Sequence, residues 1–155
     1  MFKLRPFLHA DFESLYKLDQ RCFAAGIAYS RAELSSYTAR KGSNTVVAEC
    51  VAPEGSPARA ELAGFIVTEM DPRGYGHIIT LDVEQRFRRQ KLATKLLEAA
   101  EDYVAKQGGF MLVLEVAVDN LGAIDFYKKH GYKLVKTLTN YYDGRLDGLL
   151  MSRRF

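Results

Sequence analysis

The sequence predicts an α/β fold, a mixed and mostly antiparallel sheet of about six to seven strands with helices on both faces. Short runs rich in Val, Ile, Leu and Phe alternate with stretches whose apolar residues recur at helical spacing. The run FMLVLEVAV, residues 110–118, carries one ionisable side chain and lies between two such helical stretches. Gly108-Gly109 and Gly131 stand where those helices should stop. With 155 residues, 48% hydrophobic and 26% charged, the chain suits one domain over residues 1–155, able to bury a core without metal or disulfide staples.

Residues 2–6 are expected as a short strand ended by Pro6. Phe12, Leu15, Tyr16, Cys22 and Phe23 recur at helical spacing from about Asp11 to Phe23. Ser30-Arg31-Ala32-Glu33 fits a capping box, so a second helix should begin at Ser30. Strands follow over 45–52 and 61–69, with Pro53-Glu54-Gly55-Ser56-Pro57 as the turn between them. After the breaker Asp71-Pro72-Arg73-Gly74, another strand runs from about Tyr75 to Val83. The helix over 92–106 carries Leu92, Leu96, Ala99, Ala100, Tyr103 and Val104 on one stripe. The strand 110–118 is apolar enough to require cover on both faces. Asp119 or Asn120 can cap a helix running through His130. Strands over about 132–139 and 147–154 flank a polar turn at Tyr141-Tyr142-Asp143-Gly144.

Composition narrows the function classes. Lys and Arg number 22 against 19 Asp and Glu, and a net charge of +3 does not by itself argue for nucleic acid. Cys22 and Cys50 share no C-x-x-C spacing and read as reduced thiols, while His9, His77 and His130 make no zinc spacing, so no metal is expected. No apolar run approaches the ~20 residues that span a bilayer. The segment Met1–Pro6 lacks the apolar stretch of a signal peptide, and a cytoplasmic protein is expected.

Three places can carry chemistry. Arg86-Phe87-Arg88-Arg89-Gln90-Lys91-Leu92-Ala93-Thr94-Lys95 holds basic residues and no acid at a strand-to-helix junction, where unpaired N–H groups and the helix dipole favour an anion. Such a segment is either an anion cradle or a solvated basic loop. Glu115 is alone in its apolar strand; it is either satisfied by a neighbouring strand or a carboxylate lining a site. Asn120 and Tyr127 lie at the next helix, where they can equally cap and pack. Both helices begin just after strand C-termini, where open α/β sheets bind ligands, so the three features should converge on one crevice.

At this point the chain resembles the GCN5-related N-acetyltransferase family, and more narrowly its ribosomal-protein alanine and protein N-terminal acetyltransferase branch. The family's acyl-CoA loop, R/Q-x-x-G-x-G/A after a strand ending in Val, is matched by Arg88-Arg89-Gln90-Lys91-Leu92-Ala93 after Leu81-Asp82-Val83. LEVAVDNLGAIDFYKKHGY, Leu114–Tyr132, is similar to the family's E-V-…-N-x-x-A-…-Y-…-G-F/Y block, and Asn140-Tyr141-Tyr142-Asp143-Gly144 to the ending of the N-terminal branch. The chain departs from the family at Lys91, where glycine is usual; a lysine can offer its N–H there provided φ is negative.

This resemblance implies a GNAT fold and direct transfer of acetyl from acetyl-CoA to an amine through a tetrahedral intermediate, with no metal. It implies that Arg88, Arg89, Gln90, Lys91, Leu92, Ala93 and Thr94 hold the pyrophosphate. The main chain of Leu81, Asp82 and Val83 would pair with the pantetheine, Asn120 would fix the arm, and Tyr127 would face the sulfur. Glu115 carries over as general base and Tyr127 as acid. Tyr29 and Tyr141 match positions lining the acceptor groove, which suits a protein or peptide N-terminus, a ribosomal protein being one such acceptor, rather than nucleic acid or membrane. An acetyltransferase for a small amine or lysine side chain, and a non-catalytic acyl-CoA-binding module, are the alternatives.

Overall fold

The computed structural model describes residues Met1–Phe155. In chain order it contains β1 (Phe2–Pro6), α1 (Phe12–Cys22), α2 (Arg31–Ala39), β2 (Ser43–Cys50), β3 (Glu61–Met70), β4 (Gly76–Val83), α3 (Leu92–Lys106), β5 (Met111–Ala117), α4 (Leu121–Lys129), β6 (Lys133–Tyr142) and β7 (Leu146–Arg154), with short 3₁₀ turns at His9–Asp11 and Gln85–Phe87. The strands form one 7-stranded sheet in the order β1-β2-β3-β4-β5-β7-β6. Every neighbouring pair is antiparallel except β4 and β5. The mixed sheet and the order of elements agree with the fold expected from the sequence. No helix is long and apolar enough to cross a membrane.

Two apolar cores flank the sheet. On one face α3 and α4 bury Leu92, Leu96, Leu97, Val104, Ile124 and Tyr127 against Ile66, Leu112 and Leu114. On the other, Leu15 and Leu18 of α1 and Leu34 of α2 pack on Val47, Phe65 and Val67. Helix starts follow their sequence signals. The Glu33 N–H donates to Ser30 Oγ at 3.1 Å and Glu33 Oε1 accepts from the Ser30 N–H at 2.9 Å, closing the capping box of α2. Asn120 Oδ1 accepts from the Ala123 N–H at 3.2 Å and caps α4.

Several expectations need correction. β2 begins at Ser43, because Ser43 and Asn44 already pair with Glu69 and Thr68. The apolar stripe of α3 turns on Leu97 rather than Ala99, since Leu97 is wholly buried and Ala99 is not. β6 extends to Tyr142, so the double tyrosine ends a strand and the turn is Asp143–Arg145. β5 is covered on one face only: Leu112, Leu114 and Val116 are buried while Met111, Val113 and Glu115 are partly exposed. The reason is reach, for α1 and α2 pack on β2, β3 and β4 and leave that face of β5 without a helix. β6 is the outer strand, and Leu134 and Val135 are each 54% exposed beside a register shift between Leu134 and Lys136.

Gly64 of β3 sets the depth at which β4 lies. A Cβ there would sit 2.6 Å from the Asp82 carbonyl oxygen and 3.2 Å from Leu96 Cδ1, so neither the strand nor α3 leaves room for a side chain. Gly64→Ala is expected to lower the unfolding free energy by about 1–3 kcal/mol through overpacking, read as a lower urea midpoint at unchanged slope.

Candidate active site

Pairing between β4 and β5 is confined to Gly76 with Leu112 and His77 with Val113. Beyond those rows no ladder joins the two strands. Ile79 has no partner in β3, because Thr68 pairs with Ile78 and Val67 with Thr80. A bulge of this kind bends its strand and increases its twist. The stretch Ile78–Val83 therefore stays paired to β3 while presenting its other backbone edge to a cleft.

The cleft opens into a cavity of about 1080 Å³, lined among others by Leu81, Val83, Lys91, Glu115, Asn120 and Phe126. Its floor at the α3 end is a loop of uncommon backbone. Arg89 and Lys91 have φ 63° and 62°, the left-handed conformation that glycine adopts without strain. The condition set on Lys91, a negative φ, is not met: the chain keeps the glycine-like turn with a lysine in it, and the Lys91 N–H is left without an acceptor all the same. The backbone N–H groups of Arg89, Gln90, Lys91, Leu92, Ala93 and Thr94 find no acceptor within the chain. These orphan donors at a helix N-terminus fit an anionic group of pyrophosphate size. Neither Arg89 nor Lys91 is drawn into an ion pair, while Arg86 is paired with Glu61. Arg88 turns the other way: its Nε–H donates to the Val83 carbonyl at 3.1 Å and buttresses the end of β4.

A second, smaller pocket lies on the α1 side of the cleft, and Phe23, Ile27, Leu81, Glu115 and Tyr142 line both cavities. Glu115 therefore stands where the two spaces meet. Its side chain is 18% exposed, and its Oε2 accepts a hydrogen bond from His77 Nε2 at 2.6 Å. Tyr29 and Tyr141 line the smaller pocket. The Tyr29 hydroxyl donates to the Ile79 carbonyl at 3.1 Å, using the backbone group that the bulge turns out of the ladder. Burial pushes the Tyr29 hydroxyl well above the usual phenol range, with the neighbouring tyrosines and Glu115 adding to it.

The sequence-derived candidates are not all alike in placement. Arg88, Arg89, Lys91, Leu92, Ala93, Thr94, Asn120, Leu81 and Val83 line the large cavity. Gln90 and Tyr127 are absent from its lining, and Asp82 turns its side chain away from it, into the interior at 1% exposure. Tyr127 packs edge-on against Phe126 and Tyr132, and its hydroxyl makes no hydrogen bond within the chain. Burial first, then Asp82 and Tyr142, raises its hydroxyl well above the usual phenol range. Sequence reading missed His77, which lies 38 positions from Glu115 and was weighed only as a zinc ligand. It also missed Phe23 and Ile27, where only their apolar character was a signal.

A model of the acetyltransferase (GNAT) family matches residues 12–132. The chain belongs to that family. Among GNAT proteins it is 34% identical over 94 residues to the N-terminal acetyltransferase B complex catalytic subunit NAA20 of Arabidopsis thaliana, a stretch covering 58% of this chain and 54% of that protein. It is 40% identical over 83 residues to an N-alpha-acetyltransferase of Saccharolobus solfataricus, covering 50% of this chain and 47% of the relative. The chain thus spans about half the length of the curated relatives it matches. Among solved GNAT structures, Ard1 from Thermoplasma volcanium superposes with TM-score 0.83 at 28% identity, over 99% of this chain and 97% of that one. The ribosomal-protein-S18-alanine N-acetyltransferase from Escherichia coli does so with TM-score 0.82 at 25% identity, over 99% and 94%.

The left-handed lysine gives a test of the loop. Lys91→Gly should raise the unfolding free energy by about 0.5–1 kcal/mol, the relief of αL strain less the added entropy of glycine, as measured by equilibrium urea unfolding.

Proposed function

We propose that this chain is one catalytic domain that transfers an acetyl group from acetyl-CoA to the N-terminal α-amine of a protein or peptide in the cytoplasm. The observation that carries this reading is the meeting of two cavities at Glu115, which His77 holds by a hydrogen bond, one cavity ending in a cradle of orphan N–H groups and the other walled by tyrosines. Names of the relatives support the acceptor class, since both the Arabidopsis and Saccharolobus proteins are N-terminal or N-alpha acetyltransferases. The two free, half-buried cysteines suit a reducing compartment.

Acetyl-CoA, when bound, supplies an acetyl group activated as a thioester. The N–H groups of Arg89 to Thr94 hold its pyrophosphate, with Lys91 and Arg89 adding unpaired positive charge. The free edge of β4 from Leu81 to Val83 offers backbone partners to the pantetheine, and Asn120 its unused amide N–H. Glu115 takes up the proton that the acceptor amine sheds, directly or through a water, and His77 holds that carboxylate in one orientation. A peptide α-amine has a pKa of about 7.7–8.0, so a useful fraction is neutral at pH 7 and Glu115 assists rather than enables. Tyr127, held protonated behind the lining residue Phe126, reaches the leaving sulfur as a hydrogen-bond donor only by a small turn of its ring, so its part is the lesser one. A phenol near ~10 giving its proton to a thiolate near ~8.5 is uphill by about 2 kcal/mol before burial raises it further.

Tyr29 and Tyr141 wall the smaller pocket, and with the Tyr29 hydroxyl donated to Ile79 it is Tyr141 that has a hydroxyl proton to offer an extended acceptor backbone, which favours a peptide over a compact polyamine. The test is mass spectrometry of a mixed pool incubated with the protein and acetyl-CoA, containing free α-amines, internal lysines and α-blocked controls. Gain of one acetyl group on free N-termini alone is expected; gain on lysines in the blocked controls, or none at all, would sink the reading. Glu115→Gln should lower kcat/KM for the peptide by roughly 10²–10⁴-fold with the acetyl-CoA KM little changed, and Tyr127→Phe should lower kcat less than Glu115→Gln does.

A further inference from the structure

Two carboxyl groups that take no part in this chemistry lie behind β4. Asp19 of α1 is 0% exposed and Asp82 of β4 is 1% exposed. Neither has a cation bonded to it. Asp82 Oδ1 accepts from the Thr80 hydroxyl at 2.5 Å, and Asp19 Oδ2 accepts from the Tyr29 backbone N–H at 2.8 Å. The remaining oxygen of each, Asp19 Oδ1 and Asp82 Oδ2, has no donor anywhere in the chain. α1 packs on β4 at this point, with Cys22 Sγ 3.6 Å from the Val83 carbonyl, which sets Asp19, one helical turn before Cys22, beside Asp82.

Two carboxylates buried side by side resist carrying a charge each, and two acceptor oxygens cannot satisfy each other. A single proton resolves both problems, donated by one carboxyl to the other. We propose that Asp19 and Asp82 form a carboxyl–carboxylate clamp that positions Tyr29 and the β4 bulge for the acceptor. Three hydrogen bonds are in place, Thr80 to Asp82, the Tyr29 N–H to Asp19, and the Tyr29 hydroxyl to Ile79, next to Thr80, and the shared proton between Asp82 and Asp19 closes them into a circuit. The circuit joins the wall of the acceptor pocket to the strand whose other edge faces the donor cavity. The donor cradle from Arg89 to Thr94 lies outside it.

The clamp's surroundings favour the shared proton. Burial is the main cause that holds Asp82 protonated well above the usual carboxylate range, followed by the charge of Asp19; Thr80 and Arg88 act in the opposite sense. Cys22, raised to about 11, and Tyr127 also face Asp82, and both stay neutral beside it. Arg88 approaches only from the side, its guanidinium committed to the Val83 carbonyl and to Cys22 Sγ. For a carboxyl raised in the folded state, the stabilisation is fully present below pH ~4 and is lost as pH rises through the folded-state value. Loss of the proton leaves two repelling carboxylates and loosens Tyr29.

The inference rests on the reading of Tyr29 as part of the acceptor wall, so two of the measurements need no acceptor. Infrared spectra of protein carrying ¹³C-carboxyl aspartate should show a protonated carboxyl band at pH ~7 that is missing from Asp19→Asn and from Asp82→Asn. An asparagine at either position donates the same hydrogen bond with no proton to lose, so both variants should fold. Exchange of the Tyr29 amide should be about tenfold faster in Asp19→Ala than in Asp19→Asn, the loss of one buried hydrogen bond. In kinetics, the wild-type peptide KM divided by that of Asp19→Asn at the same pH should rise about tenfold as the shared proton is lost, while the same ratio for acetyl-CoA stays flat. Absence of the infrared band, equal exchange of the Tyr29 amide, or a peptide ratio that does not change with pH would each overturn the clamp. If peptides are not acetylated but the band and the exchange behave as stated, the clamp stands and the acceptor reading falls.

Discussion

The two rows that join β4 to β5 are the constraint on which the rest of the structure depends. Had the parallel ladder continued past His77 and Val113, the backbone edge from Ile78 to Val83 would be consumed by β5 and no crevice would exist. Because it stops, the α3 and α4 N-termini, which follow β4 and β5 in the chain, open into one space. The bulge at Ile79 and the missing side chain at Gly64 make the divergence permanent rather than a fluctuation. One bends the strand, and the other lets it lie against β3 and α3 at a depth no other residue permits.

Charge is distributed around this crevice with little waste. Arg86 and Arg21, which flank the basic loop, are paired with Glu61 and Glu84, and at their exposure such pairs add little to stability. What pairing does is remove those guanidinium groups from competition, leaving Arg89 and Lys91 as the unpaired cations beside the orphan N–H groups. Arg88 looks like a phosphate ligand in sequence but is spent on the Val83 carbonyl, where it holds the last residue of β4. The polar chemistry on the other side of the strand is dry by contrast, and there carboxyl groups must be satisfied by hydroxyl and backbone donors.

Local signals in the sequence were read correctly where the physics is local. The capping box at Ser30, the cap at Asn120 and the stop at Gly108 depend on residues within a few positions of one another. Errors came where the deciding contact is distant. β5 reads as covered on both faces because its composition is apolar, and only the short reach of α1 and α2 shows that one face is open. His77 acquires meaning from Glu115, a residue on a different strand. Asp82 was legible only as a backbone position in a motif; that its side chain finds Asp19 depends on how α1 crosses the sheet. At Lys91 residue type alone favours a negative φ, and the geometry of the loop overrides that preference.

The outer strand β6 carries its own hazard and its own defence. An unpaired strand edge bearing adjacent apolar residues such as Leu134 and Val135 is a template on which a second molecule could continue the sheet and begin an aggregate. Lys133 and Lys136 bracket that pair, and the break in register between Leu134 and Lys136 spoils the straight row of backbone groups that an incoming strand would need. Resistance to pairing along this edge rests on two lysines and one irregular residue, far from any chemistry the crevice performs.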